Sequence, residues 1–152
     1  MFTQPVVLKA AKPLRSETSQ SNQADLWSAG ILATAPKGHG TEYGMQIPVI
    51  TGPEQALEFV KARKAEGSDY LKIVYQSAKA PRRLMPSIDQ ATLIALVNAA
   101  HAEQMLAVVH IQDQQSALDA ARAGADGLVH GFFESRIQNA LLTELKNRDI
   151  FV

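Results

Sequence analysis

Three short apolar segments each carry one side chain able to bind a metal or move a proton: Lys72 within Asp69–Tyr75, His110 within Leu106–Ile111 and His130 within Gly127–Gly131. A lysine between Leu71, Ile73 and Val74 has three readings. Its stem reaches solvent, its ammonium pairs with Asp69 or another carboxylate, or the amine is chemically altered, because an unpaired buried charge is costly. Two histidines ending successive apolar segments read either as cation ligands or as hydrogen-bonded structural residues. His39 either orients a substrate or is solvated, and His101 reads as structural.

Parallel strands joined by helices would bring these groups together. Side chains alternate along a strand, so residues at corresponding ends face one mouth of the sheet, where βα proteins keep their chemistry. The rest of the chain supplies such units. Residues 4–15 form a short amphipathic helix candidate, residues 16–23 a polar loop, and Ala29–Ala35 a first strand. The loop Pro36–Gly44 reads as a pocket wall or a long turn; it has neither the Gly-Lys-Ser/Thr ending nor the GxGxxG spacing of phosphate loops. Thr51 with Pro53, Ser87 with Gln90, and Asp113 are expected helix starts, while Gly67 and Gly124 are expected helix ends. A last helix is expected over Ile137–Lys146, followed by a strand beginning near Arg148. Gly67-Ser-Asp69 and Gly124-Ala-Asp126 mark the same joint twice, and helix–joint–strand recurrence predicts parallel βαβ units.

Composition narrows the function. Fifteen basic and fifteen acidic residues leave no net field to recruit nucleic acid or an anionic membrane, so a small-molecule ligand is expected. Without cysteine, any metal is held by nitrogen and oxygen. No apolar run reaches the roughly 20 residues of a membrane span, and the first residues lack a signal-peptide pattern. These features predict a cytoplasmic protein with residues 1–152 as a single domain.

Several stretches resemble the metal-dependent amidohydrolase superfamily, in its imidazolonepropionase-like and Xaa-Pro dipeptidase-like branch. They are 24–30, Gly38-His-Gly-Thr41, Gly67–Ile73, Ala99-Ala-His101, Ala107-Val-Val-His110 and Ala123–Gly131, with the ordered Lys, His, His set as the specific part. The resemblance implies a partial (β/α)8 TIM barrel, about four parallel strands with outer helices, equivalent to strands three to six. It implies Lys72 as a carboxylated bridge, made with carbon dioxide, and His110 and His130 as ligands of divalent metal, zinc or alternatively manganese. The implied reaction is hydrolysis of a C–N bond in an amide, cyclic amide or dipeptide. Gly38, His39 and Gly40, with Tyr75, are candidate substrate contacts, and no catalytic residue is assigned.

The sequence departs from the family in lacking any His-x-His pair, and the late aspartate is not found, so the binuclear site is incomplete. A cut barrel exposes strand edges and an apolar inner face, which predicts a homodimer or larger homo-oligomer. The alternative function is a noncatalytic βα half-barrel module that self-associates.

Overall fold

Strands β1 (Tyr70–Val74), β2 (Leu106–His110) and β3 (Gly127–Val129) form a parallel sheet in the order β1-β2-β3. The structure, a computed structural model, describes residue 8 and residues 26–80, 85–132 and 136–152. The helix expected over 4–15 and the polar loop over 16–23 lie outside these residues, Leu8 apart. Helices α1 (Ala56–Glu66), α2 (Gln90–Ala102), α3 (Gln114–Ala123) and α4 (Asn139–Asn147) alternate with the strands. No helix among the described residues is long and apolar enough to cross a membrane.

One face of the sheet supplies the core. Leu71, Ile73, Ala107, Val109 and Leu128 are almost completely buried, together with Val60, Leu93, Leu96, Val97, Ala117 and Ala120 from the helices. Burying each large aliphatic side chain contributes about 1.5–3 kcal/mol, so this face carries most of the stability.

Beyond each edge the chain adds a single bridge. Ala33 donates its N–H to the Lys72 carbonyl and accepts from the Val74 N–H, both at 2.8 Å, while Phe151 bridges Gly127. The expected strand Ala29–Ala35 shrinks to that bridge for two local reasons. Gly30 is left-handed at φ +62°, and the Thr34 carbonyl accepts from Ile50 N–H rather than continuing a ladder.

Several helix starts differ from expectation. Asp89, not Ser87, caps α2 by accepting from Thr92 N–H at 2.8 Å, because the Ser87 hydroxyl is occupied by Gln76 N–H. Thr51 does not cap α1: a 3-10 turn over Pro53–Gln55 comes first, and the Gln55 side chain accepts from Thr51. Helix α4 begins at Asn139, since Gln138 is extended with its N–H bonded to Gln114 Oε1. Asp113, Gly67 and Gly124 act as expected.

The repeated joint is a two-way clip. Asp69 donates its N–H to the Ser28 carbonyl and accepts Ser28 N–H on its carboxylate; Asp126 does the same to Ala107. Asp126 thus ties the start of β3 to the start of β2, and Asp69 ties the start of β1 to the segment that leads to Ala33. The Asp126 carboxylate also bonds His101 Nε2 at 2.9 Å, which gives His101 its structural role.

Candidate metal centre

Strand register decides which side chains share the second face. Lys72 pairs with Val108, Val74 with His110, and His110 with Val129, so alternation places Lys72 and His110 opposite the helices. His130 follows Val129 and would by alternation point back toward the helices. Its backbone is left-handed at φ +71°, unusual for a residue with a Cβ, and this turn swings the ring beside His110. The two imidazole centroids are 4.5 Å apart. His39 arrives from the glycine-rich loop, its centroid 4.8 Å from that of His110.

Burial and mutual repulsion disfavour the cationic forms of His110, His130 and Lys72. His110 is only 6% exposed, and burial, followed by the neighbouring His130, His39 and Lys72, pushes its pKa down to about 3. The His130 pKa is lowered by burial and then by Lys72 and His39. Burial alone lowers that of Lys72, which has no ion pair with a described carboxylate. Asp69, the partner considered for it, bonds the Ser28 N–H.

The glycine-rich loop is fastened by Glu42, which accepts Gly40 N–H at 2.5 Å and bonds His39 Nδ1 at 2.5 Å. Burial raises the Glu42 pKa, but backbone hydrogen bonds and His39 outweigh it and lower it overall. Packing accounts for two of the loop's glycines. A Cβ at Gly38 would lie 2.6 Å from Thr34 Oγ1 and 2.9 Å from the Pro86 carbonyl, and Gly40, at φ +103°, sits against Leu32.

A cavity of about 190 Å³ opens beside the cluster, lined by His39, His110, Tyr75, Gln76, Ser87 and Gln112 among others. Tyr75 lines it, but its hydroxyl donates to Asp119 at 2.9 Å. That contact belongs to a buried network that sequence reasoning missed. Asp119 also accepts from the Ser77 hydroxyl at 2.7 Å and from Gln115; Ser116 accepts Ser77 N–H and donates to Asp113. Its signal was Asp113, Ser116 and Asp119 at three-residue spacing on the first turns of one helix.

Among the described residues, no three His, Cys, Asp or Glu side chains form a group able to hold a metal by themselves. The donor set still suits a cation in two respects. His110 Nε2 is buried without a hydrogen-bond partner among the described residues, an arrangement costing about 1–3 kcal/mol. Lys72, with its lowered pKa, is the adjacent group able to supply oxygen ligands after reaction with carbon dioxide.

No protein-family model matches the sequence, and neither does any curated protein sequence. Solved structures do match. A Xaa-Pro dipeptidase with methionine bound in its active site is 23% identical, with TM-score 0.71 over 93% of this chain and 38% of its own. The ochratoxinase of A. niger is 16% identical, with TM-score 0.73 over 95% and 38%. An amidohydrolase is 15% identical, with TM-score 0.69 over 91% and 38%. The fold is therefore that of a partial amidohydrolase-like TIM barrel: three parallel strands with outer helices, spanning about 38% of the length of these structures.

Proposed function

We propose that the chain carries part of the active site of a metal-dependent hydrolase that cleaves C–N bonds of amides, cyclic amides or dipeptides. The observation that carries this reading is the meeting of His110 and His130, with rings 4.5 Å apart, beside a lysine whose charge is felt at both. Lys72, His110 and His130 would hold the cation, zinc or alternatively manganese. A divalent cation bound there supplies Lewis-acid polarisation of a carbonyl and lowers the pKa of water.

The chain's own residues prepare for that chemistry. Burial favours the free amine of Lys72, the form that reacts with carbon dioxide. The new N–C bond gives a carbamate, one proton is released, and a group that burial disfavours as a cation becomes an anionic oxygen donor. Neutral imidazoles at His110 and His130 leave nitrogen lone pairs for coordination. His39 and Tyr75 line the cavity in which a small amide or peptide would sit, while Gly38 and Gly40, which do not line it, would hold the loop that carries His39.

Zinc content tests this reading. Wild-type protein should retain near-stoichiometric zinc after dialysis, and Lys72→Ala, His110→Ala and His130→Ala should each lose it. Equal zinc in all four proteins would reject the assignment.

A second reading, a self-associating module without catalysis, draws on the exposed apolar residues Trp27 (66%), Leu106 (51%) and Phe151 (51%). Sedimentation at micromolar concentration should then report a homo-oligomer; a single-chain mass would reject it.

A further inference from the structure

We propose that Val74 is a specificity-determining residue, which with Met85 and Pro86 makes the cavity beside His110 a subsite for the uncharged aliphatic chain of an amide. The inference rests on the proposed function in treating that cavity as the substrate's place, and it names the class of chain the cavity accepts.

Strand register sets Val74 opposite His110, so its side chain stands on the same face as the imidazole, one strand away. Val74 is buried, Met85 half-buried and Pro86 exposed, so the apolar lining runs from the interior to the surface. That wall is braced by the glycine-rich loop. Gly38 packs so closely that a Cβ there would lie 2.9 Å from the Pro86 carbonyl. The polar side chains beside the wall are already engaged: Tyr75 donates its hydroxyl to Asp119, Ser87 Oγ accepts Gln76 N–H at 2.8 Å, and Gln76 and Ser87 have further partners within the protein. A charged or hydroxylated group placed there would give up water without gaining a partner, whereas methylene groups are favoured by leaving water. Size sets the upper limit. The cavity measures about 190 Å³, and an apolar cavity of about 150 Å³ holds a benzene-sized group, so a chain of roughly four to six carbons fits. Gln112, exposed and carrying both a donor and an acceptor, lines the same cavity and suits the neutral amide end of such a molecule.

The probes are acetamide, butyramide and hexanamide, titrated into the metal-free, full-length chain and followed by NMR of 13C-labelled valine and methionine methyl groups. Affinity should rise about fourfold per added methylene, and hexanamide should shift the Val74 and Met85 methyl resonances. The charged 6-aminohexanamide should bind at least roughly tenfold more weakly than hexanamide. Val74→Thr, which keeps the shape of the side chain but adds a hydroxyl, should weaken hexanamide binding roughly tenfold. Met85→Ala should move the preference to a longer chain, so that octanamide overtakes hexanamide. Affinity that is flat along the series, equal binding of hexanamide and 6-aminohexanamide, or hexanamide binding indifferent to both substitutions would overturn the proposal. No metal takes part in these titrations, so their outcome and the zinc content of the Lys72, His110 and His130 variants stand or fall separately.

Discussion

The two faces of the sheet differ in what they demand of the chain. On the helix side, alternate residues Leu71, Ile73, Ala107, Val109 and Leu128 are aliphatic and sealed. On the other side, the same strands carry Lys72 and His110, begin with a half-exposed Leu106, and lead into a left-handed His130. Stability is concentrated on the first face, while the second carries the unpartnered His110 Nε2 and the left-handed backbone of His130. That separation lets the second face hold groups that reduce stability, which is the pattern expected of functional sites.

The largest effect should come from the sealed face. Leu96→Ala should lower unfolding free energy by about 2–5 kcal/mol in urea titrations, while leaving zinc stoichiometry unchanged in the folded fraction. Acid should act through the other face. His110 ionises near 3 in the folded chain against an ordinary value of 6.5, so below 6.5 the unfolded chain binds the extra proton. Stability should therefore fall as pH falls, by about 2 kcal/mol at pH 5, and His110→Phe should flatten that dependence. A loss that persists in His110→Phe would place its origin elsewhere.

The smallest effect should be opposite in sign. Replacing His130 by glycine relieves the left-handed backbone, so His130→Gly should gain up to about 1 kcal/mol of stability while losing zinc. A destabilised His130→Gly would mean that the ring contributes more by packing than its backbone costs.

The sealed face was legible in the sequence because apolar periodicity and glycine ends are local signals. The strands carrying Lys72 and His110, the strand leading to His130, and the caps at Asp113, Gly67 and Gly124 follow from them. Features that depend on competition between distant groups were not legible. Ser87 lost its capping role to Gln76 N–H, and Tyr75, just after β1, turned its hydroxyl to Asp119 on α3. The Lys, His, His order suggested the cluster, but alternation alone would have turned His130 away from it. The left-handed backbone that corrects its direction has no local marker, since the residue is not glycine.

The central claim is that Lys72 can become an anionic oxygen donor beside two neutral imidazoles. Carbon-13 NMR of the protein equilibrated with zinc and 13C-bicarbonate tests it most directly. A carbamate resonance that appears with zinc and is absent from Lys72→Ala is the predicted result; a spectrum without that resonance, or one unchanged by Lys72→Ala, would contradict it.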